Sequence, residues 1–265
     1  MQYNSLTDHK SVFTFIYSAA VLAIKDNRKL YQKQILDFRR IIEDPLLNKA
    51  KQILTRVFDQ ESIDKLDIDF TFCTFAPKGN SGGADFLTFD GSLPEVKIVL
   101  NFNNNIRTLY KKSLWDFSLI LTDVFFHEIL HVIQYIKVYK KLGDNLDNSK
   151  GNILTIIESK LLAKDTRLAY KQYNNDILYF SSYEEIQCYA KDAARQLLSA
   201  YKNKNTVFNK LSISSELLDL VKTSDCFYYY YDCFYELKSK IWQDDIIWKA
   251  FIKHLYYYIF QDFTI

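Results

Sequence analysis

SLWDFSLILTDVFFHEILHVIQYIKVYKKLG, residues 113 to 143, decides how the rest of the chain is read. Ser113 and Asp116 have the spacing of an N-terminal capping box, in which the two side chains satisfy N–H groups at a helix start. Lys140, Lys141 and Gly143 form the opposite signal: cations beside the last carbonyls, then glycine. The spacing predicts one helix of about 29 residues, roughly 43 Å long. It is apolar on most sides, as a helix through the middle of a domain would be. Between Phe117 and Ile136, only Asp123, His127, Glu128, His131 and Gln134 carry a charged, imidazole or amide side chain. At about 100° per residue these five share an arc of roughly 140°. Burying them without partners would cost several kcal/mol, so a shared partner is expected.

The core of that arc is His127-Glu-Ile-Leu-His131, which uses two of the chain's 4 histidines. Residues i and i+4 stack on one helix face, so both imidazoles can offer a nitrogen to one tetrahedral Zn²⁺. Glu128 is rotated by about 100° and is not placed as a third ligand beside them. It can instead take a proton from a metal-bound water whose pKa has fallen to ~7. Asp123, one turn earlier, is a candidate to accept the remaining N–H of His127 and orient it.

A catalytic zinc site uses three protein ligands and an open position. Gln134 and Lys137 stand where a metzincin would need Gly and His, which excludes that subclass. His9 and His254 are distant in sequence and lack supporting context. The adjacent carboxylates Glu184 and Glu185 follow Ser181 and Ser182 at a helix start. On that helix Ile186, Tyr189, Ala190, Ala193 and Leu197 predict the buried face. Glu185 falls at its edge, whereas Glu184 falls with Lys191 and Arg195 on the opposite side. Glu185 is therefore the expected third ligand. A cap at Ser181 leaves Glu185 free, and a cap at Ser182 puts it in a capping box. Glu184 and Glu158, the latter in a helix expected over 153–173, stay open as rivals.

His127-Glu-x-x-His131 followed by Glu185-Ile-Gln-x-Tyr-Ala190 resembles gluzincin-type zinc metallopeptidases. It is similar to putative metallopeptidases encoded by phages, over about residues 95 to 200. Cys188 stands where that pattern has a small residue, and the interval from His131 to Glu185 is long. The resemblance implies a zincin-like core with Zn²⁺ as cofactor and a peptide or protein as substrate. It also implies an edge strand, Glu95 to Phe102, that holds extended substrate near Asn101 and Asn103. A stabiliser of the oxyanion is implied as well, for which Tyr189 is the candidate.

Outward from this centre, residues 1–66 read as an N-terminal helical subdomain. Helices are expected from Asp8 or Ser11 to Ile24, from Arg28 to Glu43 with a stop before Pro45, and from Leu46 to Gln60. Period-two alternation predicts strands over 67–75, 84–89 and 95–102, separated by a loop at 78–83 and a turn at Asp90-Gly91. The loop lacks the Lys-Ser or Lys-Thr of a P-loop. Residues 67–202 are thus expected to form the metallopeptidase core, and 203–265 a helical, aromatic-rich extension. Helices, a small sheet and more helices suggest an α+β class, mostly helical, with a long active-site helix.

Composition narrows the function classes. With 48% hydrophobic and 25% charged residues the chain is globular. A net charge of +2 argues against nucleic acid as a partner. The apolar run from Val12 to Ile24 falls short of the ~20 residues of a membrane span, and Asp8 and Lys25-Asp26 argue against a signal peptide. The 4 cysteines form no C-x-x-C pair, so reduced thiols in a cytoplasm, or a virion, are expected. The aromatic block from Cys226 to Tyr235 has no interleaved Lys or Arg and reads as a packed helix or a protein-partner surface. The competing expectation to an enzyme is a catalytically silent structural or assembly component that keeps the zincin fold.

Overall fold

A computed structural model describes residues 5–25, 31–64, 67–76, 81–87, 95–103, 114–142, 179–236 and 246–261. It divides into two compact units, Met1–Ile157 and Glu158–Ile265. Ser113, Gly143, the Asp90-Gly91 turn, and the helix expected over 153–173 with Glu158 lie outside the described residues.

The first unit begins with α1 (Ser5–Lys25), α2 (Tyr31–Val57) and the short α3 (Gln60–Asp64). Proline ordinarily ends a helix, because it lacks an N–H and its ring crowds the preceding turn. Here α2 runs through Pro45, where two helices were expected. The reason is tertiary: Ile42, Leu46, Ala50 and Ile53 are all buried, in one stripe that continues across the proline. Pro45 itself is exposed. Burying that stripe offsets the ~3 kcal/mol that an interior proline costs.

Three strands follow: β1 (Asp67–Ala76), β2 (Ser81–Leu87) and β3 (Glu95–Asn103). The order is β1-β3-β2, with β1 parallel and β2 antiparallel to β3. The register aligns Ile68, Val96 and Phe86, then Phe70, Ile98 and Ala84, so the apolar positions fall in common rows. β2 starts at Ser81 rather than at Ala84, with Gly82 and Gly83 paired to Leu100 and Val99. The expected edge strand is corrected by this topology. Asn101 is in register with Cys73 on one side and Ser81 on the other, so β3 has no open edge there for a peptide to join.

α4 (Leu114–Leu142) has 29 residues and packs on α1, β2 and β3. Leu121, Phe125, Phe126, Ile129, Val132 and Ile133 are buried along it. Thr122, also buried, donates its hydroxyl to the Ser118 carbonyl at 2.6 Å and so satisfies itself within the helix.

In the second unit α5 (Tyr183–Tyr201) packs on α9 (Ile246–Gln261). Between them in sequence come α6 (Lys204–Ser212), a 3-10 turn (Ser214–Glu216), α7 (Leu217–Thr223) and α8 (Asp225–Tyr230). α8 continues as a π-helix over Tyr231–Glu236. Small residues on α5, Ala190, Ala193 and Ala194, are buried against Phe227, Tyr230, Phe234 and Phe251. α5 ends at Lys202, whose positive φ of 56° stands where glycine is usual, and its N–H closes on the Leu198 carbonyl at 2.8 Å.

Most of the described residues lie in helices. The expectation of an α+β, zincin-like domain is therefore corrected: the chain is a mostly helical fold. The three strands hold 10, 7 and 9 residues, against 27 in α2 and 29 in α4.

Candidate metal centre

His127 and His131 are neighbours on α4, with ring centroids 4.9 Å apart and an interplanar angle of 74°. Their helix forms around them because the residues on either side, Phe125, Phe126, Ile129, Val132 and Ile133, drive its burial. Two nitrogens on one zinc ion at ~2.0–2.1 Å lie about 3.3 Å apart in tetrahedral geometry, a separation that rings this close can reach. The donor chemistry fits as well, since imidazole is a common zinc ligand.

Their surroundings are poorly hydrated. Glu128, His131 and Gln134 are buried, and His127 is half-buried. The Nδ1 of His131 lies 3.0 Å from the Oε1 of Gln134, one turn along. Asp123 meets His9 of α1, whose Nε2–H donates to Oδ1 at 2.9 Å. The His9 ring also stacks on Phe126 at 5.5 Å. The carboxylate expected to orient His127 is thus engaged by a histidine that sequence distance had set aside. No local signal pointed to it, because the contact is made by helix packing. Gln134 does carry a local signal, its i+3 spacing from His131.

The other expected site residues lie in the second unit. Glu185 is buried near the start of α5, whereas Glu184 is half-buried. The N-cap is Ser182, but its hydroxyl makes no capping hydrogen bond. Its backbone N–H goes to the Tyr179 carbonyl at 3.1 Å, so Ser182 and Glu185 do not close a capping box.

Tyr189, one turn from Glu185, is half-buried among aromatic rings, with Phe180 at 5.1 Å and Tyr230 at 5.8 Å. Burial, followed by the negative charge of Glu185, pushes its phenol pKa well above the usual value, opposed by a side-chain hydrogen bond with Tyr179. Burial and then Glu185 raise Tyr230 in the same direction. Both phenols are therefore neutral donors at any ordinary pH. Tyr230 spends its O–H on the Phe180 carbonyl at 2.9 Å.

Comparison with protein-family models, with curated proteins and with solved structures finds no match to this chain. Among the described residues no helix is long and apolar enough to cross a membrane.

Proposed function

We propose that the chain is a zinc-dependent hydrolase, a metallopeptidase with a gluzincin-type ligand set, acting on a peptide or protein. The observation that carries this reading is the imidazole pair His127 and His131, 4.9 Å apart on a helix whose intervening Glu128 is buried. His127 and His131 would provide two of the protein ligands and Glu185 the third. Zinc, when bound there, supplies a Lewis acid for a carbonyl and lowers the pKa of water to ~7. Glu128 takes a proton as water attacks the amide carbon, then delivers it to the departing nitrogen as the C–N bond breaks. Tyr189, held neutral by burial and by Glu185, offers an O–H to the developing oxyanion. Asp123, tied to His9, would hold the approach to His127 in place.

Cys188, Cys226 and Cys233 are not disulfide-bonded, which supports a reducing compartment such as a cytoplasm. The test is elemental analysis of natively purified full-length protein, joined to hydrolysis of a peptide library. Stoichiometric zinc with turnover supports the reading, and a metal-free native sample overturns it.

A silent assembly component is the second reading. It draws support from aromatic side chains that remain exposed in the second unit, including Tyr228, Tyr229, Tyr257 and Phe260. It requires stable complexes with a protein partner and no cleavage of any peptide in the library.

A further inference from the structure

A histidine can coordinate a metal through either ring nitrogen, and the choice is made by whatever holds the other one. His131 is 5% exposed, so water has little part in that choice. Its Nδ1 lies 3.0 Å from the side-chain oxygen of Gln134, which is 6% exposed. An amide oxygen only accepts hydrogen bonds, so the proton in this contact must sit on Nδ1. A neutral imidazole has one N–H, which leaves Nε2 with its lone pair. The i+3 spacing keeps the two side chains on one stretch of helix surface.

We infer that Gln134 is a positioning residue that fixes His131 as its Nδ1–H tautomer and thereby presents Nε2 as the donor to the metal. The inference rests on the metal reading of this helix, but its first consequence can be measured without metal. An apolar side chain at 134 would remove an acceptor that favours the proton on Nδ1, so more of the binding events would first have to shift it from Nε2. Outer partners of this kind typically change metal affinity by about 10- to 100-fold. The chemistry also predicts which replacement is tolerated: Glu keeps an acceptor oxygen at the same reach, and Leu keeps only the volume.

The experiment uses the full chain, with zinc alone as the probe. Long-range ¹H–¹⁵N correlation spectra of the metal-free protein should show His131 protonated on Nδ1. Protonation on Nε2 would overturn the assignment, and this arm stands even if a variant fails to fold. Chelator competition should then show zinc binding weakened about 10- to 100-fold in Gln134→Leu and nearly unchanged in Gln134→Glu. Equal weakening in both variants, or none in Gln134→Leu, would reduce Gln134 to packing and overturn its role. Absence of zinc binding by the unmutated chain would instead overturn the metal reading, whatever the tautomer.

Discussion

Two apolar helical regions of this chain are built on opposite principles. α4 carries a stripe of buried polar side chains, Glu128, His131 and Gln134, through an otherwise apolar helix. The α8 segment with its π continuation buries Phe227, Tyr230, Tyr231 and Phe234 against Phe251 and Trp248 and spends its polar atoms on holding itself in place. Ser224, for instance, accepts from the Phe227 N–H at 3.1 Å and donates to Gln196 at 2.5 Å, tying α8 to α5. Tyr230 stacks on Phe251 at 4.1 Å with the rings within 7° of parallel. An aromatic block of that density draws the eye first, yet its geometry is that of packing. In α4 the buried polar groups cost several kcal/mol unless something repays them, and this makes α4 the region where chemistry is expected.

The largest effect that would separate the two regions is catalytic. Glu128→Gln should lower peptide hydrolysis by about 10²- to 10⁴-fold while zinc content and thermal melting stay close to those of the unmutated chain. Full activity in that variant would break the assignment of chemistry to α4. The converse change is Phe251→Ala, which opens a cavity beneath Tyr230 and should cost about 3–5 kcal/mol in chemical denaturation. It should alter activity only in proportion to the fraction unfolded. A finer cut is Tyr230→Phe, which removes the O–H that reaches the Phe180 carbonyl and should cost about 1–2 kcal/mol. A loss of turnover in a fully folded Tyr230→Phe protein would show that the aromatic core also serves the reaction.

How far each region could be read beforehand follows from the range of the forces that shape it. α4 was legible because a long apolar period, end signals and a polar arc all lie within one segment. The strand segments were legible through alternation, though β2 begins in a glycine stretch that reads as a loop. Pro45 misled because the rule it invokes is local, whereas Ile42, Leu46, Ala50 and Ile53 act through tertiary burial. The fold class departs from the α+β expectation for a related reason. Alternation reveals that strands exist, but not how much of the described chain is helical. The helical wheel separates Glu185 from Glu184, and of the two only Glu185 is buried. The His9–Asp123 contact was beyond reach, since nothing in either segment names the other.

The smallest expected effect comes from charges that neither region buries, and it checks whether burial is what gives the α4 groups their weight. Lys210 donates to Glu216 and to Asp219, each at 2.9 Å. The hydrogen bonds to Glu216 and then Asp219 raise the Lys210 pKa, and the bond from Lys210 holds the Asp219 carboxyl below its usual value. A depressed carboxylate contributes stability above its unfolded pKa and loses it as pH falls through the folded value. Any contribution from Asp219 should therefore be present at neutral pH and fade below about pH 4. These side chains face solvent, however, where screening and side-chain entropy consume most of an ion pair's gain. Lys210→Ala should accordingly leave the denaturation midpoint unchanged at pH 7, and its pH profile should superimpose on that of the unmutated chain. A clear loss at pH 7 that vanished in acid would mean that exposed charge carries real weight in this fold. Burial alone would then no longer single out the polar stripe of α4.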